Sequence, residues 1–481
     1  MRKQYILIMA LLAGFTPAGL SAQTQQAELR DSENAEADKL ISTITEERKE
    51  DAAKKINTMQ DFRKKQFVNP NADTLSYTYT DFEQEVLEYS LTLKQSVAKQ
   101  VAMKKAMQVA KTSFLPSVDA SGNYSYRIND YEMPFGDFSV PMKHDAYSAG
   151  FSVMQPVLAG GSILYNYKGQ KIQNEIATQG IELTRDNVIL AAENSYWGTA
   201  AQKEMYGVMC HYSEIVGLLL KVLQDRYDDG MISKTDLIQM EVRKKEAEMQ
   251  RLNAYEAYKI AMQNMNVLMG KQPTDSIGVA ESIAKSLPTP ELASTETVFN
   301  FRPDLNISKL NVDYQKNQIR LATAKYNPTL AIGYQGAWGT QMLNVNGDTQ
   351  FNHSFVVSLK VPLWRWGARC KQYAVQKALY NQAQFAMQDK QDQISKELAA
   401  AWTKLEESKK RIDIAAKNCK LADENLELNT FSYSEGRLSI LDVLSAQLTW
   451  IQAYTNLVQS HYQEKIAHAN YKKAAGTRYI K

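Results

Sequence analysis

Two carboxylates carry the most suggestive chemistry in this 481-residue chain. Asp236 closes the stretch Tyr227-Asp-Asp-Gly-Met-Ile-Ser-Lys-Thr-Asp236, and Asp442 closes Tyr433-Ser-Glu-Gly-Arg-Leu-Ser-Ile-Leu-Asp442. Tyr227, Gly230, Ser233 and Asp236 each stand 206 residues before Tyr433, Gly436, Ser439 and Asp442, so the chain holds two copies of one unit. A serine followed three residues later by an acid caps a helix N-terminus, where negative charge also suits the helix dipole. A second chemistry is open to the same groups. Repeated around a symmetry axis, the carboxylates would form a ring that attracts cations and constricts an aperture. Capping and gating are compatible. Tyr227 and Tyr433 likewise have two readings, as core residues of a packing seam or as hydroxyl donors that hold a closed tip.

Nothing else is spaced for catalysis. No Gly-rich phosphate loop, Ser/His/Asp set or metal box stands out, the five histidines are scattered, and neither enzyme activity, cofactor nor bound metal is expected. Cys210, Cys370 and Cys419 cannot all pair within one chain and read as small buried or unpaired thiols. The eighteen methionines do not cluster with histidine and read as gap-fillers. A formal charge of +3 gives no strong pull toward nucleic acid.

The elements that position these residues are long. Gly230 and Gly436 break helical patterns, since glycine tolerates the left-handed conformation that ends a helix. Ser162 to Asp229 reads as one proline-free helix of about 100 Å. Its last part carries a heptad seam of Tyr206, Met209, Ser213, Val216, Leu220, Leu223 and Tyr227, which implies supercoiled packing. A return helix runs from Asp236 to about Met269. In the second copy the long helix ends at Glu435, with the seam Ile412, Ala415, Cys419, Ala422, Leu426, Asn429 and Tyr433. Its return helix runs from about Asp442 to Ala475. Shorter helices span Phe82 to Phe114 and Arg302 to the residues before Pro328.

Between the helices the period switches to two. Val118, Ala120, Gly122, Tyr124 and Tyr126 alternate with Ser117, Asp119, Ser121, Asn123 and Ser125, which predicts a strand. Three more follow around Tyr147–Met154, Leu330–Trp338 and Ser354–Val361, with Pro116, Pro156, Pro328 and Pro362 at the strand–helix junctions. Residues 127–145 and 339–352 read as loops. Trp364, Trp366, Tyr165 and Tyr167 follow strand ends, where an interfacial aromatic girdle or simple packing at the junction is expected.

Strands of about ten residues match the length that crosses a membrane when tilted. Each has an apolar face and a small or polar face. Four strands in lipid would leave unpaired edges, and an eight-stranded barrel is filled by its own side chains. A water-filled barrel therefore needs at least three chains and twelve strands. No segment has the eighteen uninterrupted apolar residues of a membrane helix.

With these features the chain resembles the TolC-like outer-membrane efflux proteins, from roughly Thr80 to Gly476. The resemblance rests on Ala110-Lys-Thr-Ser-Phe-Leu-Pro116, Arg302-Pro-Asp-Leu305, Val361-Pro-Leu-Trp364 with Gly367, and Tyr433-Ser-Glu-Gly436 leading to Asp442-Val-Leu444, in this order and duplicated. It implies a mainly α fold: duplicated long helical hairpins forming an α-helical periplasmic tunnel, plus four β-strands per protomer in a homotrimeric, twelve-stranded barrel within outer-membrane lipid. It also implies docking to a periplasmic adaptor and an inner-membrane transporter, as the exit duct of a tripartite efflux or type I secretion system. The tip turns, Gly230, Ser233 and Lys234 with Gly436, Arg437 and Ser439, are the expected adaptor contacts, and Asp236, Asp442, Tyr227 and Tyr433 the expected periplasmic gate. Several relatives carry a second tip aspartate where this chain has Ser445, so one acidic ring is missing.

The expected organisation is a signal peptide (1–22), a polar extension (23–76), a first repeat (77–270), a linker (271–301), a second repeat (302–476) and a tail (477–481). The signal reading rests on Arg2 and Lys3, an apolar run from Tyr5 to Phe15, and Leu20-Ser21-Ala22. A structural coiled-coil envelope protein or tether is the alternative, which the four alternating strands disfavour. A simple porin would not need the long helices.

Overall fold

The computed structural model describes residues 75–476, apart from 231, 286, 341–347, 435 and 436. The signal segment, nearly all of the 23–76 extension, the 477–481 tail and the breaker Gly436 lie outside the described residues. The order is β1 (Leu75–Tyr77), α1 (Tyr79–Tyr89), α2 (Leu91–Thr112), β2 (Ser117–Tyr126), β3 (Glu132–Phe135), β4 (Phe138–Pro141), β5 (Asp145–Ala159), α3 (Ser162–Asp228), α4 (Lys234–Leu268), β6 (Ile277–Val279), α5 (Thr295–Phe301), α6 (Pro303–Ala324), β7 (Thr329–Thr340), β8 (Thr349–Lys360), α7 (Ala368–Ser434) and α8 (Ile440–Ala475). The chain forms two compact units, one of residues 99–180 and 304–390, the other built from 75–98, 181–303 and 391–476. Each unit draws on both copies of the repeat.

The first unit holds an antiparallel sheet in the order β2-β5-β7-β8. Residues directly opposite in such a sheet share a face. The register sets Ala120 opposite Phe151, Phe151 opposite Gly336, and Tyr334 opposite both Val153 and Phe355. One face therefore collects Val118, Tyr124, Tyr147, Phe151, Val153, Ile332, Tyr334, Trp338, Phe351, Phe355, Val357 and Leu359. Its rings meet across strands, Tyr147 with Trp338 at 5.8 Å and Tyr334 with Phe355 at 5.0 Å. The opposite face collects Ser121, Asn123, Ser148, Gly150, Ser152, Gly333, Gln335, Ala337, Asn352 and Ser354, with Gln335 Nε2 donating to Ser354 Oγ at 3.2 Å. The alternation seen strand by strand thus becomes one apolar and one small, polar surface. β2 and β8 are the outer strands.

Three expectations need correction, and the linker has structure of its own. The helix read from Phe82 to Phe114 breaks at Ser90, whose Oγ accepts from Leu93 N–H at 3.3 Å and so opens α2. The loop read at 127–145 contains the β3–β4 hairpin. Pro156 does not close its strand. β5 continues to Ala159 through a register shift between Pro156 and Leu158, and a bulge accommodates a residue with no N–H to give. The linker 271–301 holds α5 and β6, and β6 pairs parallel with β1.

In the second unit a core of Tyr196, Trp197, Tyr212, Val216, Leu223, Leu237, Met240, Leu426, Tyr433, Ile440, Val443 and Trp450 binds α3, α4, α7 and α8. The linker is strapped onto this core by hydrogen bonds. Lys203 Nζ donates to Val279 O at 2.9 Å and Tyr471 Oη donates to Glu291 O at 2.8 Å. Lys465, almost fully buried, donates to Lys285 O and lies 5.0 Å over the Trp197 ring. One turn further along α8, burial pushes the His468 imidazole down to about 4, helped by the charges of Lys472, Lys465 and Lys409.

His468 therefore stays neutral in the fold while the unfolded chain, titrating at its ordinary 6.5, takes up a proton. Its contribution is full above that value and is lost as pH falls from 6.5 toward 4. Thermal melting in detergent at about pH 7.5 and about pH 5 should show the wild type losing about 2 kcal/mol more on acidification than His468→Gln. Equal losses would reject the assignment.

Candidate functional site

The tip of each hairpin is built from the same parts. α3 ends at Gly230, whose φ of +75° suits glycine and whose N–H donates to Tyr227 O at 2.9 Å. Ser233 then caps α4. Asp236 N–H donates to Ser233 Oγ at 3.2 Å, while Ser233 N–H and Oγ reach Asp236 Oδ2 at 3.4 and 2.9 Å. In the second copy Ser439 N–H and Oγ reach Asp442 Oδ2 at 3.0 and 2.8 Å. The capping chemistry read in the sequence is present at both tips. Each acid uses a single oxygen, Oδ2, for its cap. Asp236 is half-buried and Asp442 is exposed, as are Lys234, Arg437 and Ser439. Arg437 N–H donates to Ser432 O at 2.9 Å.

The two tips meet through an arginine that the sequence reading missed. Arg226, in the last turn of α3, stacks 5.4 Å over the Tyr433 ring of α7 and donates from Nη1 to Tyr433 O at 3.3 Å. Tyr433 is 7% exposed and Tyr227 packs against the same core. Burial raises the Tyr433 phenol, Arg226 opposes this and the charge of Asp236 adds to it. The structure thus brings Tyr227, Arg226, Tyr433 and Asp236 together. The Tyr433 hydroxyl is buried without a hydrogen-bond partner among the described residues. The Tyr433 ring and backbone carbonyl both engage Arg226. The one sequence signal for Arg226 was its place beside the seam residue Tyr227, in the last turn where cations suit a helix end.

Two exposed apolar stripes also escaped notice. Ile238, Val242, Met249 and Leu252 lie on α4, and Ile414, Leu421, Leu428 and Phe431 on α7. Their steps of three, four and seven follow the heptad, the pattern of a helix seam that wants a partner. The chain already has an internal seam, and these second stripes were masked by it. The junction prolines Pro116 and Pro328 directly precede β2 and β7, Pro156 lies within β5, and Pro362 follows β8. Tyr167 packs edge-on against Phe114 at 6.1 Å and Tyr165 O accepts from Asn317 Nδ2 at 2.8 Å, whereas Trp364 and Trp366 remain exposed. The thiols Cys210, Cys370 and Cys419 are all free.

A sheet with one lipid-compatible face, joined to capped helical hairpins of such length, is the fold of an outer-membrane channel protein rather than an enzyme. The same fold occurs in the Campylobacter jejuni CmeC outer membrane channel, with a TM-score of 0.72 at 14% identity over 83% of this chain and 85% of that one. The profile of the outer membrane efflux protein family matches residues 83–271 and 298–477, and the chain belongs to that family. Among curated relatives, outer membrane efflux protein BepC of Brucella suis biovar 1 is 20% identical over 362 residues, 75% of this chain and 76% of that protein. Proteases secretion protein PrtF of Dickeya chrysanthemi is 24% identical over 255 residues, 52% of this chain and 55% of that protein. The chain is thus an exit duct of the outer membrane, with its helical tunnel in the periplasm.

Tyr433→Phe removes only a buried hydroxyl without a partner, so the folded tip should keep or slightly gain stability, within about 1 kcal/mol. Arg226→Gln removes the stacked cation and should lower the melting temperature of the protein in detergent. A destabilised Tyr433→Phe, or an Arg226→Gln variant that melts with wild type, would contradict this account of the tip.

Proposed function

We propose that three copies of the chain form a homotrimer whose four-stranded sheets close into a twelve-stranded barrel. The trimer serves as the exit duct of a tripartite efflux or type I secretion system. The observation that carries this reading is the sheet itself, apolar on one face, small and polar on the other, with β2 and β8 as open outer strands. Each unpaired backbone group in hydrocarbon costs several kcal/mol, and pairing β8 of one copy with β2 of the next removes the edges. The exposed heptad stripes on α4 and α7 supply complementary apolar surfaces for the same association. The helical tips dock a periplasmic adaptor through the exposed turns around Lys234 and Arg437, and an inner-membrane transporter completes the path. The name of PrtF favours protein export and that of BepC favours efflux, so both substrate classes stay within the proposal.

Mass measurement in mild detergent should give three copies. Leu421→Lys with Leu428→Lys changes exposed residues only, and should dissociate the assembly while leaving the helical content intact. A wild-type monomer with full channel conductance would defeat the proposal.

Asp236 and Asp442 act as a cation-binding constriction as well as caps. What supports this is that the cap uses Oδ2 alone, in equivalent places in both copies. Asn keeps the size and much of the capping capacity of Asp. Asp442→Asn should weaken cation selectivity and block by a trivalent cation in planar bilayers, and the double variant with Asp236→Asn should do so further. Unchanged selectivity and block in the double variant would leave both residues as caps and nothing else.

A further inference from the structure

The two strand-to-helix junctions are equivalent by the repeat and differ in chemistry. The first reads Gln155-Pro-Val-Leu-Ala-Gly-Gly161, the second Val361-Pro-Leu-Trp-Arg-Trp-Gly367. Gly160 has a φ of +61°, and a Cβ there would approach Ala324 O to 2.5 Å. The second copy keeps this left-handed backbone but places Trp366 on it, at φ +51°. Among the described residues no other non-glycine has a positive φ. For a bulky side chain the conformation costs about 1–2 kcal/mol. The side chain gains little from the protein in exchange. Trp366 is 84% exposed, Trp364 74% and Leu363 90%, and the two indoles meet edge-on at 6.0 Å.

The surrounding charge is one-sided. Between Asp348 and Asp389 the sequence has no acid, and it carries Lys360, Arg365, Arg369, Lys371 and Lys377. Arg369 and Lys371 stand near the start of α7, where the helix's own dipole disfavours cations. Arg365 lies 5.7 Å over the Tyr326 ring. The apolar surface is continuous with the sheet, running along β8 through Phe355, Val357 and Leu359 to Val361 and Leu363, all exposed. Exposed tryptophans with flanking cations, at the edge of an apolar membrane surface, match the layer where acyl chains give way to phosphates.

We propose that the second junction, Lys360 to Lys371, is an anchor for anionic phospholipid headgroups on the periplasmic side of the membrane. Trp364 and Trp366 sit at headgroup depth, and Arg365 and Arg369 bind the phosphates. The first junction, with Gly160 in place of Trp366, Leu158 in place of Trp364 and no cation before Lys168, does not share the role. The proposal rests on the reading of the apolar sheet face as lipid-facing.

The test uses the full-length protein in vesicles of phosphatidylcholine, with and without phosphatidylglycerol, each lipid brominated in turn to quench tryptophan. Brominated phosphatidylglycerol should quench more than brominated phosphatidylcholine at equal mole fraction, and each arginine should account for about a five-fold preference. Arg365→Gln with Arg369→Gln should abolish the preference. Trp366→Gly relaxes the backbone while removing the ring, so its melting temperature in detergent should equal or exceed that of wild type while headgroup-depth quenching falls. Trp338, on the apolar sheet face, is the internal reference, followed in Trp364→Phe with Trp366→Gly. Equal quenching by the two lipids in wild type would overturn the proposal. So would a destabilised Trp366→Gly variant, or quenching of Trp338 without quenching of Trp364 and Trp366. Absence of quenching at Trp338 itself would instead show that the lipid-facing reading of the sheet had failed.

Discussion

Hydrocarbon offers no partner to a backbone N–H or C=O, and this constraint governs the molecule. Inside the sheet, three ladders satisfy the strands with register that never slips except at the Pro156 bulge. Because the side-chain period of a strand is two, that steady register also sorts residues by face. A slip of one residue in β7 would carry Ile332, Tyr334 and Trp338 onto the surface now lined by serine and glycine. The backbone requirement and the separation of an apolar face from a polar face are therefore one problem with one solution.

Elements with a strong period were legible in the sequence. β2 was read at its true ends, and the long helices within a few residues, because proline and glycine punctuate them and tens of residues repeat one pattern. What escaped was set by tertiary context. β1 and β6 are three residues each and exist only as a pair, joined across the linker by Tyr77 and its neighbours. The Ser90 break needs a side chain to leave its helix and cap the next, which residue type alone does not announce. The β3–β4 hairpin lies among prolines and a glycine that argue for a loop. At the tip, Ser233, Asp236, Ser439 and Asp442 were visible because capping is local. Arg226 over Tyr433 was not, because a contact between residues 207 apart depends on how two helical hairpins lie together.

Capping and packing account for the tip residues without specialised chemistry in any single side chain. Asp236 and Asp442 already serve helix stability, and Tyr433 already fills the core. Any further role comes from where these groups stand, not from altered reactivity. The duplication matters here, since it repeats a modest local device without demanding that either copy be optimised alone. The copies have then drifted apart at the strand junctions, where Gly160 and Trp366 occupy the same backbone conformation with opposite side-chain content.

The pairing of β5 with β7 has a kinetic consequence. It joins the two halves of the chain, with contacts between residues 193 apart. Helical turns close locally and fast, whereas such distant pairing must wait for most of the polypeptide to exist and to search. The sheet is thus slow to form. Until it forms, the apolar strands pass through an aqueous compartment as open edges, the state most exposed to aggregation.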